Sequence, residues 1–459
     1  MSDEFLSDVE DNYYDGYPCG ENVRKAIEDY AGVSLNELNK KYPDLLIFPH
    51  SLKKNDDEND DKIGDQVLFS FVGKKVKTGN IIGFFSVNDV PFTIRSRFDK
   101  SDKQFFLHYM VKKVLRINML NLRTMASTDG MWDLCSLLFP YCLKNALRQG
   151  LFKAYRHFSY NDARLNGSVD VSRHLLKNTP FAGKFAYQTR ERTADNPLIQ
   201  LVRHTIEFIR ANAATASILQ EKDTRAAVDE VVAATPSYAR GDRAKVIAQN
   251  LRPVRHPYFT DYTILQKVCL KILRREKLDF QDKSEKLHGI VFDAAWLWEE
   301  YLATVLKGKN FTHALNKKGE NGIDVYDKAK EMEKYGKTYN QYTVYPDFYI
   351  EGNTVIDAKY KRLNNGVFRD DRFQLISYMH ILKAEKGFLA YPIQRGDEKE
   401  IEDEGKLKEA RIRELNGFGG TIGRLPFYIP QTVETEEAFE EEMKKEEEVF
   451  LKSLENAEK

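Results

Sequence analysis

The stretch from Gln341 to Tyr360, QYTVYPDFYIEGNTVIDAKY, limits what this chain can fold into more than any other. Its Tyr, Thr, Val, Phe and Ile residues favour strands, and Glu351-Gly352-Asn353 supplies the backbone angles of a tight reversal, so it predicts a hairpin. Asp347 falls in the first strand, Asp357 and Lys359 in the second. Side chains two apart on a strand share a face, which sets Asp357 beside Lys359 and lets Asp347 reach both across the hairpin. Two carboxylates and an amine on one face are costly to bury unless something binds there. A hard divalent cation such as Mg²⁺ suits them, because it takes a few carboxylate oxygens and keeps other positions for water and phosphate. Lys359 is then placed to orient or polarise a water against a phosphodiester.

Composition bounds the rest. A chain of 459 residues has room for two to four domains, and 42% hydrophobic with 31% charged residues describes a globular protein. Lys+Arg and Asp+Glu balance at 70 each, so no global field attracts nucleic acid; DNA contact must use local patches or a partner. The sequence has no apolar run of about 18 residues and begins with the acidic MSDEFLSDVEDN, so neither a membrane span nor a signal peptide is expected, and the expected location is cytoplasmic. Cys19, Cys135, Cys142 and Cys269 lack zinc-ligand spacing and read as buried free thiols.

The expected architecture is α+β and multidomain. Residues 1–95 read as a β-rich module suited to partner docking, with the polar run 53–62 as a solvated loop. Residues 96–280 read as mainly helical with a hairpin within Arg156–Arg173; Pro140 should kink or break the helix around it, and Asn196-Pro197 should open a helix running to about Ala211. An Ala-rich helical stretch is expected over Asn212–Asn250. Arg164, Arg173, Lys184, Arg190 and Arg192 are candidates for a phosphate-contacting surface, since guanidinium forks suit phosphates; Lys361 and Arg362 join them beside the hairpin. Residues 281–430 read as an α/β domain: an amphipathic helix over Gly289–Val305 carrying Glu299 and Glu300, the hairpin, then a helix over Asp370–Leu382 with Gln374 and Tyr378 on one face. Residues 431–459 read as an acidic, solvated helix.

Pro346-Asp347 followed by Asp357-Ala358-Lys359 resembles the PD-(D/E)xK nuclease signature, and Gln374-x-x-x-Tyr378 resembles the QxxxY element of some of its branches. Helix, Asp-bearing strand, Asp-x-Lys strand, helix is also the element order of the restriction-endonuclease-like fold. The segments LNGSVDVSRHLLKN (165–178), YQTRERTADNPLIQLVRHTI (187–206), LWEEYL (297–302) and VIDAKYKRL (355–363) add a closer resemblance, to the McrC-type subunit of McrBC-like restriction systems, covering roughly Phe92 to Tyr391.

That resemblance implies an endonuclease subunit that works with a hexameric, GTP-hydrolysing AAA+ partner, McrB, on double-stranded modified DNA. It implies that Asp347 and Asp357, with the Ala358 carbonyl, hold Mg²⁺, that Glu299 or its neighbour Glu300 completes the shell, and that Lys359 positions the attacking water. Gln374 and Tyr378 would orient Lys359, the water or the DNA backbone. The sequence has no Walker A motif, so nucleotide chemistry belongs to another chain. Two other readings stay open: a nuclease of the same fold acting without a motor in repair or recombination, and a non-cleaving regulator of an AAA+ ring.

Overall fold

The computed structural model describes residues 4–7, 17–18, 24–25, 27–42, 45–49, 66–73, 75–87, 90–99, 104–115, 128–212, 215–274, 287–315, 320–336, 342–363, 367–395, 412–417 and 419–458. The polar run 53–62 and Cys19 lie outside them. The chain forms two compact units: Met1–Met119 with Ser284–Lys459, and Leu120–Lys283.

The N-terminal part of the first unit supplies β1 (Glu4–Ser7), β2 (Tyr17–Pro18), α1 (Leu35–Lys41), β3 (Leu45–Phe48), β4 (Phe69–Val72), β5 (Lys75–Thr78), β6 (Ile81–Val87), β7 (Val90–Arg95) and α2 (Phe105–Leu115). Ser34 starts α1 by accepting from the Glu37 amide at 3.3 Å, satisfying one otherwise orphaned donor of the first turn. β2, β5 and β4 make a small antiparallel sheet.

The second unit contains α3 (Thr128–Arg148), β8 (Ala154–Asp162), β9 (Ser168–Val169), α4 (Val171–Lys177), β10 (Phe185–Thr193), α5 (Pro197–Ala211), α6 (Lys222–Ala234), α7 (Arg243–Gln249) and α8 (Asp261–Arg274). Asn196 caps α5 through bonds from the Leu198 and Ile199 amides, with Pro197 in the first turn, so this helix has the limits the sequence predicts. Three expectations are corrected here. Pro140 does not break its helix: Leu138, Phe139, Cys142, Leu143 and Ala146 are buried around it, and that burial offsets the lost backbone bond. The Ala-rich stretch is two helices, interrupted after Thr235 by Pro236, which disfavours helical backbone in the residue before it. The hairpin is not confined to 156–173, since β8 pairs with β10 and β9 takes β10's other edge. Gly167 admits that approach: a Cβ there would stand 2.2 Å from the Gln188 carbonyl oxygen. Cys135, Cys142 and Cys269 are buried free thiols, as read from the sequence.

Returning to the first unit, the chain forms β11 (Leu287–Asp293), α9 (Ala294–Val305), β12 (Thr312–His313), β13 (Ile323–Asp324), α10 (Lys328–Tyr335), β14 (Thr343–Val344), β15 (Phe348–Ile350), β16 (Thr354–Ala358), α11 (Arg369–Leu382), β17 (Lys386–Gln394), β18 (Arg413–Glu414), β19 (Thr421–Ile429) and α12 (Glu436–Glu458). The helix expected over Gly289–Val305 is thus a strand followed by a helix. Asp293 marks the switch, accepting from the Ala295 and Trp296 amides at 2.9 and 3.2 Å. β11 enters a five-stranded sheet of order β1-β7-β6-β11-β3, so residues 1–95 complete their sheet with a strand from beyond the second unit. Gly83 of β6 has φ +145°, and a Cβ there would stand 2.3 Å from the Ile290 carbonyl oxygen, so glycine is what lets β11 close in.

The second large sheet has the order β12-β15-β16-β17-β19-β18, with β16, β17 and β19 parallel. α11 crosses between β16 and β17 and buries Leu375, Met379 and Leu382 against Val355, Leu389, Tyr391 and Ile393. α9 packs through Trp298, whose ring lies 5.6 Å from that of Phe427. The acidic C-terminal helix is not solvated all round. Phe439, Met443, Phe450 and Leu454 of α12 are buried, with Phe450 5.3 Å from Phe427 and Phe439 5.6 Å from Phe105. Among the described residues no helix is long and apolar enough to cross a membrane.

Candidate active site

The hairpin sets the first contacts. β15 and β16 pair from Ile350 opposite Thr354 to Phe348 opposite Ile356, so continuing one residue brings Asp347 opposite Asp357. Gly352, at φ +71°, makes the turn. The Ala358 amide donates to Asp347 Oδ2 at 2.6 Å, fixing one carboxylate oxygen against the neighbouring strand. Asp357 is 3% exposed, and the Lys359 amide donates to the Ala390 carbonyl at 2.8 Å, prolonging the parallel pairing to the residue that carries the amine. The cluster therefore sits at the carboxyl end of parallel strands, where open α/β sheets bind ligands.

Lys359 Nζ is held from several sides: Asp357 Oδ2 at 2.9 Å, Gln374 Oε1 at 2.9 Å and Asp371 Oδ1 at 3.5 Å. The Gln374 amide in turn donates to the Tyr378 hydroxyl at 2.9 Å. Gln374 and Tyr378, one helical turn apart on α11, thus reach the amine as a relay, as their spacing predicts. The three carboxylates Asp357, Asp347 and Asp371 hold the Lys359 amine above its usual range despite burial, so it stays an ammonium. Burial, with the charges of Asp357 and Asp347, pushes the Tyr378 hydroxyl up as well, keeping it protonated.

Asp371 belongs to neither the PD-(D/E)xK nor the QxxxY pattern. It is 6% exposed, lies between Lys359 and Lys361 (3.4 Å from the latter), and its Oδ2 makes no hydrogen bond. Its one sequence signal was position, three residues before Gln374 and therefore on the same helical face.

The two glutamates of α9 part ways. Glu300 Oε1 accepts from the Trp296 indole at 3.2 Å. Glu299 Oε1 lies 2.9 Å from His313 Nε2, and the His313 ring stacks on Phe348, the residue after Asp347. The charge of Glu299 is also felt at Asp347. Burial first, then Glu299 and Asp357, push the Asp347 carboxyl well above the usual carboxylate range. Mutual repulsion of this kind is what a bound cation relieves. Among the described residues, no three His, Cys, Asp or Glu side chains already stand at ligand spacing round one point. The chemistry of the donor set still fits a hard cation: the charges of Glu299 and Asp357 both bear on Asp347, and Asp357 Oδ2 is buried 2.9 Å from the Lys359 ammonium with no hydrogen bond.

The basic candidates divide. Lys361 pairs with Asp371, and Arg362 donates to the Arg97 carbonyl at 3.3 Å, so both stand beside the cluster with their donors partly engaged. Arg173 does not belong to a free cationic surface: its guanidinium bonds the backbone carbonyls of Tyr160 and Tyr187, fastening α4 to β8 and β10. Arg164, Lys184, Arg190 and Arg192 are exposed in the second unit.

Residues 76–392 match the family model described as McrBC 5-methylcytosine restriction system component. The chain belongs to that McrBC family. The McrBC match takes in Glu299, Asp347, Asp357, Lys359, Asp371, Gln374 and Tyr378. It also spans the whole of the stretch, Phe92 to Tyr391, in which the sequence resembles McrC-type subunits. A solved chain described as a refined half-complex from a tetradecameric assembly of Thermococcus gammatolerans McrB AAA+ hexamers with bound McrC is similar over 99% of this chain and 100% of its own, at 16% identity and a TM-score of 0.46. A second, from the cryo-EM structure of the Thermococcus gammatolerans McrBC complex, is similar over 66% of this chain and 87% of its own, at 16% identity and a TM-score of 0.30. No curated protein matches.

Proposed function

We propose that this member of the McrBC family is a McrC-type endonuclease subunit that hydrolyses phosphodiester bonds of modified double-stranded DNA when driven by a hexameric McrB-like AAA+ GTPase. The observation that carries this reading is the Lys359 ammonium, fixed by Asp357, Gln374 and Asp371 beside a set of carboxylates at the end of parallel strands. The matching PD-(D/E)xK and QxxxY patterns support a restriction-endonuclease-like fold for residues 281–430.

Asp347, Asp357 and Glu299, with the Ala358 carbonyl, would hold Mg²⁺, which when bound clamps a phosphate oxygen and makes a nucleophilic hydroxide available near neutral pH. Lys359 brings a permanent positive charge to the phosphate that gains negative charge on attack. Gln374 and Tyr378 keep that amine from turning away, so its orientation is set before substrate arrives. GTP hydrolysis falls to the partner, because this sequence has no Walker A motif. The protein is to be mixed with its motor partner, GTP and Mg²⁺ on methylated DNA. Asp357→Ala and Lys359→Ala should abolish cutting; normal cutting by either variant would sink the reading.

A further inference from the structure

The ribbon formed by β8 and β10 keeps all its acids on one face. Its register is unbroken from Phe185 opposite Asp162 to Thr193 opposite Ala154, so alternation alone assigns each side chain to a face. One face carries Arg156, which pairs with Asp195 at 3.5 Å, together with Tyr160, Asp162, Tyr187 and Glu191, and the last four satisfy one another. The Tyr160 hydroxyl donates to Glu191 at 3.1 Å, the Tyr187 hydroxyl to Asp162 at 3.2 Å, and the two rings stack 5.4 Å apart.

The other face carries Tyr155, His157, Arg190 and Arg192, with Lys153 continuing the alternation just before β8. All five are exposed, Tyr155 by 61%. Along both strands this face presents no Asp or Glu, and among the described residues Lys153, Arg190 and Arg192 form no ion pair. Asp170, just past β9, is engaged by the Gln188 side-chain amide at 2.9 Å and by the Arg173 backbone amide. The Arg190 guanidinium lies over the Tyr155 ring, 4.6 Å from its centroid, a cation–π contact that helps fix the arginine on this face.

In a chain whose charges cancel overall, a row of cations cleared of acids is the kind of local patch that nucleic-acid contact requires. We infer that the Lys153, Tyr155, His157, Arg190 and Arg192 face of the ribbon binds the phosphate backbone of duplex DNA without reading sequence. The inference rests on the reading that DNA is the substrate, but it concerns binding by a unit separate from the carboxylate cluster.

The test is equilibrium binding of a labelled, unmodified DNA duplex to the full chain over a range of salt, with metal omitted. For R190A/R192A the affinity should fall about tenfold near 0.1 M salt, and the slope of log affinity against log salt should flatten by about 1.8, or 0.9 for each lost phosphate contact. R190K/R192K should keep the slope, which a merely structural role for the arginines would not demand. Unchanged affinity and slope in R190A/R192A would overturn the inference. So would absence of salt-dependent binding by the wild-type chain, or loss of affinity for an acidic AAA+ partner with duplex binding intact. Cleavage is scored separately. Arginine-dependent binding without cutting under any condition would leave the inference standing and remove the nuclease reading; cutting with unaltered duplex binding would do the reverse.

Discussion

Asp371 Oδ1 faces Lys359 Nζ at 3.5 Å from the first turn of the crossover helix, while Asp357 approaches the same amine at 2.9 Å from the strand behind it. The ammonium is therefore centred between a carboxylate of the Asp-x-Lys pattern and one outside it. Asp371→Asn keeps the shape and removes the charge on that side. Cleavage should fall about 10- to 100-fold, a loss of roughly 1.4–2.7 kcal/mol of transition-state stabilisation, with the KM for DNA nearly unchanged. Single-turnover cleavage with a matched unfolding scan checks it; a loss of rate explained wholly by unfolding would refute the positioning role.

Neighbouring glutamates on α9 should behave differently. Glu299 is the one whose charge reaches Asp347, whereas Glu300 is bound by the Trp296 indole. Glu299→Gln is expected to weaken metal-dependent cutting by about 100-fold, within the range seen when a group supporting a metal is lost, and Glu300→Gln by less than about threefold. A metal titration of cleavage for both variants distinguishes them.

Because its carboxyl is raised by burial and by Glu299 and Asp357, Asp347 holds a proton in the folded chain over a pH range in which the unfolded chain has released it. Stability from this group is therefore greatest at low pH, declines as pH rises from the ordinary carboxylate range, and reaches its full penalty above the raised native value. A bound divalent cation would replace the proton as compensating charge. Mg²⁺ should accordingly raise the melting temperature more at about pH 8 than at about pH 5, and thermal scans with and without metal at both values test this. Equal gains at both would contradict it.

Phe450 of the C-terminal helix is 1% exposed and 5.3 Å from Phe427 of the sheet that carries the site. Phe450→Ala should cost about 3–5 kcal/mol, seen as a lower denaturant midpoint at unchanged slope. A change below about 1 kcal/mol would show that the helix is dispensable.

The sequence was most legible where one signal sufficed. The Gln341–Tyr360 stretch has strand formers about a turn, and its carboxylates and lysine meet as alternation demands; Gln374 and Tyr378 were found by helical spacing. It was least legible where neighbouring signals merge. LHGIVFD runs straight into the apolar start of α9, and an apolar run alone does not separate a buried strand from a helix. The acidic C-terminal segment hid its apolar stripe, Phe439, Met443, Phe450 and Leu454, among many glutamates, so charge outweighed periodicity. Asp371 stood beside Asp370 in a helix start, where carboxylates commonly complement the helix dipole, and only the fold shows one of them turned towards two lysines.

β3 has β11 as its sole neighbour in the five-stranded sheet, and β11 begins at Leu287. On the ribosome, β6 and its neighbour β7 have emerged long before β11, the partner of β6's other edge: the interval from Val87 to Leu287 is 200 residues, or roughly 10–40 s at ordinary elongation rates. During that time the nascent chain carries an open strand edge, and the second unit is made in full before the gap closes. The strand that closes it leads directly into the helix bearing Glu299, so the first sheet is completed only as the half that carries the carboxylate cluster begins to appear.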